Sequence, residues 1–112
     1  MKIYISIPIT GKDIRAQKGR AALLERMFNA QGFDTANPFR NGLPASRMRE
    51  DHMRADLKML LGCDVVFMCK GWTESKGCGL EHEVAEQCGL WVVYENQGID
   101  RVIENLSYGI GE

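Results

Sequence analysis

Short apolar runs alternate with amphipathic stretches along this chain, and that alternation leaves few architectures open. Val65-Val66-Phe67-Met68 is apolar at every position, the pattern of a strand covered on both faces in a parallel sheet. Residues 2–9 are rich in β-branched and aromatic side chains and end near Pro8 and Gly11; residues 33–37 and 90–94 read as shorter strands. Residues 13–31 read as a helix with Leu23, Leu24, Met27 and Phe28 on its inner stripe. Ser46 is placed to cap a second helix, whose apolar side is Met53, Leu57, Leu60 and Leu61. Residues 77–87 supply a third, and Ile99, Val102, Ile103 and Leu106 recur at the spacing of a fourth. The order β-α-β-α-β-α-β-α predicts a single-domain, three-layer α/β fold of the Rossmann-like or flavodoxin-like kind. Its sheet is expected to be parallel, with four to five strands and right-handed crossovers. A chain of 112 residues is one domain, 1–112.

Charge and cysteine usage narrow the function classes. The net charge is -1 and the Lys and Arg residues are scattered among acids, so neither nucleic acid nor an anionic membrane is an expected partner. No apolar run approaches the roughly 20 residues that cross a bilayer. The chain enters a strand pattern at once, leaving no room for a signal peptide, so a cytoplasmic location is expected. Cys63, Cys69, Cys78 and Cys88 form no CxxC pair, and neither His52 nor His82 completes a zinc-type spacing with them. Reduced, mostly buried thiols and no metal are expected.

In parallel α/β sheets ligands bind beyond the carboxyl ends of the strands. That rule selects the loops after Ile9, Asn37 and Met68 and the tail after Tyr94. The segment Ser75-Lys76-Gly77-Cys78-Gly79-Leu80-Glu81 lies at that edge. Gly77 and Gly79 lack a Cβ and permit a close ligand. Glu81 is expected in the first turn of its helix, where free amides and the helix dipole favour an ionised carboxylate. The plain alternative is a turn followed by an acid that steadies its helix. Asp56 lies at the border of its helix's apolar stripe, facing solvent or looking toward Glu81. Tyr4 reads as a core tyrosine whose hydroxyl finds a partner. Ser6, Thr10 and Gly11 end the first strand with hydroxyls and amides suited to a sugar or phosphate, although the P-loop pattern is missing. Lys12 follows them and reads as solvated. Asp64 is expected to anchor a turn on backbone amides. Trp72 either covers a planar ligand or is an exposed apolar lid. A phosphoacceptor receiver needs clustered acids where this chain has Ile7-Pro8-Ile9-Thr10, which excludes that class. Two carboxylates and a tyrosine at one sheet edge suit glycosidic bond cleavage.

These residues carry a resemblance. Met1-Lys2-Ile3-Tyr4-Ile5-Ser6, Asp56-Leu57 with Asp64 eight residues after Asp56, and Gly77-x-Gly79-x-Glu81 with Ala85 resemble the nucleoside 2-deoxyribosyltransferase family, which includes deoxynucleoside monophosphate N-glycosidases. The resemblance implies that Glu81 attacks the anomeric carbon of a deoxyribosyl group, that Asp56 holds sugar or base and helps with proton movement, and that Tyr4 orients the nucleophile. It implies no cofactor, a nucleoside or nucleotide as the small-molecule partner, and a homodimer or higher oligomer. Ser75, six residues before Glu81, stands where the monophosphate hydrolases carry a phosphate-contacting serine. Ile7, Pro8, Thr10 and Glu104 depart from the hydrolase pattern, which leaves free nucleoside against monophosphate open, as it leaves hydrolysis against transfer. The alternative is a non-catalytic nucleotide- or nucleoside-binding module of the same fold. A structural subunit with solvated edge acids is the third reading.

Overall fold

The computed structural model describes residues 1–109; the last three residues of the expected 1–112 domain lie outside that range. Among the described residues β1 (Lys2–Ser6), β2 (Asp34–Ala36), β3 (Val65–Met68) and β4 (Trp91–Tyr94) form one parallel sheet in the order β2-β1-β3-β4. The helices between and after them are α1 (Ile14–Ala30), α2 (Arg49–Leu61), α3 (Lys76–Gln87) and α4 (Ile99–Ser107). This is the predicted α/β architecture, with four strands.

Alternation along the strands builds the three layers. Ile3, Ile5, Val65, Phe67 and Val93 pack with Ala21, Leu24 and Phe28 of α1 and with Val102 and Leu106 of α4. Tyr4, Val66 and Met68 point the other way, into a second core with Leu60 of α2 and with Cys78 and Ala85 of α3. Phe28 meets Phe67 edge to face at 5.3 Å, a geometry that adds about 1 kcal/mol beyond burial alone. The tail stripe of α4 therefore docks on its own domain, through Val102 and Leu106.

The strand order positions the site. From β1 the chain passes through α1 to β2 on one side, then through α2 on the other face, across β1, to β3. Connections leaving β1 and β3 diverge, and a crevice opens between them at the carboxyl edge. Asp64 holds the opposite edge together, its Oδ2 accepting at 2.9 Å from the amide of Lys2 in β1 rather than from an amide of its own turn.

Several boundaries differ from expectation. β1 stops at Ser6, whose register partner is Met68, rather than running to Ile9; Pro8 follows and has no amide to donate. α1 buries Gln17, Ala21, Leu24, Glu25 and Phe28, leaving Leu23 half exposed, because Gln17 and Glu25 occupy inner positions with hydrogen-bond partners. Gln17 Nε2 donates to the Pro8 carbonyl at 2.6 Å, and Glu25 accepts from Asn37 and pairs with Arg40. α2 begins after Met48 without a side-chain cap rather than at Ser46, and Leu61 at its end is exposed. The thiols are free; Cys63, Cys69 and Cys78 are buried and Cys88 is exposed. Among the described residues no helix is long and apolar enough to cross a membrane.

Candidate active site

Ser75 sets where α3 begins. Its Oγ accepts from the Cys78 amide at 3.2 Å, a serine N-cap. Lys76 is then the first helical residue and Glu81 falls in the second turn, not the first. Gly77 and Gly79 are themselves helical, so no glycine turn forms a shelf here. Their uses differ. A Cβ on Gly77 would stand 3.3 Å from Met53 Cε, so this glycine lets α2 and α3 close together; a Cβ on Gly79 would meet nothing within 4 Å.

Glu81 points from α3 onto the sheet, where two hydroxyls receive it. Tyr4 Oη donates to Oε2 at 2.7 Å and Ser6 Oγ donates to Oε1 at 2.7 Å. Tyr4 and Ser6 are two positions apart on β1, so the pleat turns both to the α3 side. Both donors are fully buried and Glu81 is 5% exposed. Burial drives the Glu81 carboxyl up to about 7; the Ser6 and Tyr4 hydroxyls oppose the rise and the charge of Asp56 adds to it. The expected dipole-favoured, strongly ionised glutamate is therefore replaced by one that titrates near neutrality. Burial, then the charges of Glu81 and Asp56, hold the Tyr4 phenol well above its ordinary range, which keeps it a donor.

Asp56 is buried rather than solvent-facing, at 8% exposure. Asn41 Nδ2 donates to its Oδ1 at 2.9 Å. Burial raises its pKa, while the Asn41 hydrogen bond and then His52 oppose the rise. Sequence reasoning assigned no role to Asn41 or His52. The available signal was position: Asn41 lies in the Asn-, Gly- and Pro-bearing loop after β2, one of the places the sheet-edge rule selects.

These groups border a cleft of about 1030 Å³, at the upper limit of the roughly 300–1,000 Å³ usual for small-molecule sites. Glu81, Asp56, Thr10, Ser75 and Gly77 line it, with Ile7, Phe39 and Met53 as apolar wall and Lys18, Arg49 and Lys76 as cations. Tyr4 and Ser6 are not among the lining residues; they hold Glu81 from inside the protein, so the Ser6 hydroxyl is committed to Glu81 and not offered to a ligand. Gly11, Gly79 and Trp72 do not line the cleft either. Trp72 stacks on His82 at 4.3 Å between ring centroids, with Tyr94 beside both, and His82 Nε2 lies 2.8 Å from the Tyr94 hydroxyl. Gly11 adopts φ +78, a turn that suits glycine alone. No cluster of three or more His, Cys, Asp and Glu side chains that could hold a metal ion occurs among the described residues.

The family described as "Domain of unknown function (DUF4406)" matches residues 1–94, a span that includes Tyr4, Asp56 and Glu81. The chain belongs to this family. The DUF4406 match ends at the last residue of β4, so α4 lies beyond it. Among solved structures, a 2-deoxyribosyltransferase from the psychrotolerant bacterium Bacillus psychrosaccharolyticus is similar at a TM-score of 0.66 and 20% identity. The similarity covers 84% of this chain and 71% of that one, and it shows a shared fold. No curated protein matches this DUF4406 chain.

Proposed function

We propose that this protein cleaves or transfers the N-glycosidic bond of a (deoxy)nucleoside or nucleoside monophosphate, with Glu81 as nucleophile. The observation that carries the reading is a cleft-lining carboxylate with a hydroxyl on each oxygen, sharing its cleft with a second buried carboxylate. A glutamate fixed in that way has its plane and rotamer set before a substrate arrives, which is what an in-line attack on an anomeric carbon requires. The shared fold with a 2-deoxyribosyltransferase supports the same reading.

In this scheme one Glu81 oxygen forms a bond to the anomeric carbon while the C–N bond breaks and its electron pair leaves with the base. The other oxygen becomes the ester carbonyl and keeps its hydroxyl donor throughout. Water attack on the ester returns free sugar and Glu81; attack by a second base gives transfer. The charge of Asp56 adds to the burial that raises the Glu81 pKa. Asp56 holds the sugar or base by hydrogen bonding and helps with proton movement to the departing base. Self-association belongs to the same reading, and Leu61 and Leu80, exposed on the α2–α3 layer, are apolar surface suited to it.

The test is incubation with a panel of nucleosides, deoxynucleosides and their monophosphates, following free base by chromatography. Base release by the wild type and none by Glu81→Ala, with unfolding cooperative in both, is the expected result. Undiminished release by Glu81→Ala ends the proposal. Binding without release at any pH favours the non-catalytic module.

A further inference from the structure

The wall that carries Asp56 has its own internal support. Asn41 spends every polar atom of its side chain inside the protein. Its Nδ2 donates to Asp56 Oδ1 at 2.9 Å and to His52 Nδ1 at 3.0 Å, and its Oδ1 accepts from the Leu43 amide at 3.0 Å. His52 Nε2 lies 3.1 Å from the Pro44 carbonyl oxygen, which only accepts. A neutral His52 therefore carries its proton on Nε2 and presents a lone pair at Nδ1 to Asn41. The orientation of the asparagine follows, since an amide oxygen facing a carboxylate and an imidazole lone pair would be repelled by both. His52 and Asp56 are four residues apart on α2, one turn on one face, so a single side chain bridges them. Asn41, Leu43, His52 and Asp56 all line the cleft.

We propose that Asn41, oriented by His52, is the positioning residue of Asp56, and that this pair reserves Asp56 Oδ2 for a hydrogen-bond donor on the substrate. The inference rests on the reading of the cleft as a nucleoside or nucleotide site. Among the described residues Oδ1 accepts from Asn41 while Oδ2 has no hydrogen-bond partner. An ionised carboxylate only accepts, so the ligand group that meets Oδ2 is a hydroxyl or an N–H. Sugar hydroxyls and the N–H edges of bases are such groups. The segment from Asn41 to Ala45, which contributes Asn41, Leu43 and Ala45 to the cleft wall, is tied to α2 by the same contacts. Asn41 and His52 thereby act on substrate capture, while the nucleophile is set separately by Tyr4 and Ser6.

The experiment compares wild type with Asn41→Ala, His52→Ala and His52→Gln in three measurements. Imidazole ¹⁵N NMR reads the His52 tautomer, carboxyl ¹³C NMR reads the Asp56 titration, and steady-state base release separates KM from kcat. The wild type shows the Nε2–H tautomer. Asn41→Ala moves the Asp56 midpoint up and raises KM roughly tenfold or more, the loss of a hydrogen bond to a charged group, with KM rather than kcat carrying the change. His52→Gln retains both properties, because its amide accepts from Asn41 and donates to Pro44; His52→Ala does not. An unshifted Asp56 midpoint with unchanged KM in a folded Asn41→Ala protein overturns the proposal, as does an Nδ1–H tautomer in the wild type. If the wild type releases no base from any probe, the enzymatic reading fails, and the tautomer and the Asp56 titration decide the role of Asn41 alone.

Discussion

Glu81 is a carboxyl group that the fold would hold more cheaply without its charge. Its pKa rises from an ordinary 4.5 to about 7, and the direction of the stability effect follows. Between those values the native state keeps a proton that the unfolded chain has released, so this group's contribution is full below pH 4.5 and is lost as pH rises through about 7. The full span corresponds to about 3 kcal/mol as an upper figure. Glu81→Gln, which cannot ionise, is therefore expected to melt higher than wild type at pH 8, the gap closing toward pH 5 in calorimetry. A constant gap across that range would show that Glu81 does not titrate there. Tyr4→Phe acts on the same carboxyl from outside. It removes a donor that favours the ionised form, so the acid limb of base release moves above pH 7 and the rate at neutral pH falls roughly tenfold or more. An unmoved limb in the pH–rate profile would detach Tyr4 from Glu81. The resemblance pointed to Tyr4, Asp56 and Glu81 by local pattern, but Ser6 was read as a ligand contact. Its actual partner lies 75 positions away, and a strand pleat says which face a hydroxyl takes, not what meets it there.

At the scale of elements, α3 shows how a one-turn shift changes the chemistry inferred from a segment. Residues 77–87 read as this helix with Glu81 in its first turn, yet the Ser75 cap starts it at Lys76 and Glu81 lies beyond the reach of the free amides. Helix presence was legible from apolar spacing, and the starts of α1 and α3 fell within one residue; α2 differs, beginning after an uncapped Met48 rather than at Ser46. Leu23 and Leu61 were assigned inward by the same periodicity and lie outward; for Leu23 the reason is that spacing alone does not reveal that Gln17 and Glu25 of α1 have buried partners to satisfy. The two glycines of α3 respond differently to substitution. Gly79→Ala adds a methyl to open space in a helix and is expected to stabilise by up to about 1 kcal/mol, read as a rise in thermal midpoint, with base release unaltered. Gly77→Ala pushes on Met53 at 3.3 Å, and the gain in helix propensity is offset by that contact. If Gly79→Ala abolished base release without loss of stability, the missing Cβ would be serving a ligand after all.

For the whole molecule, the alternation of patterns carried the fold class, whereas the strand order β2-β1-β3-β4 is written nowhere in one strand's composition. It arises from right-handed crossovers, α1 on one face and α2 and α3 on the other, and it places the ends of β1 and β3 side by side at the crevice. A site assembled in this way joins side chains from β1, the loop after β2, α2 and α3, all four of which must be folded before the cleft exists. Ligand binding is then linked to global unfolding. A nucleoside or nucleotide at about one hundred times its Kd adds about 2.7 kcal/mol, which for a domain of this size is a rise of roughly 10 °C in thermal midpoint. Asp56→Ala is expected to lose most of that rise, because the acceptor wall is gone, while Cys88→Ser at the exposed end of α3 keeps it. The same sample distinguishes enzyme from binding module. A shift that decays with time as free base accumulates marks turnover, and a shift that persists unchanged marks binding alone. No shift with any nucleoside or nucleotide, in a protein that melts cooperatively, would remove the ligand class itself and leave a parallel α/β domain whose two buried carboxylates serve something else.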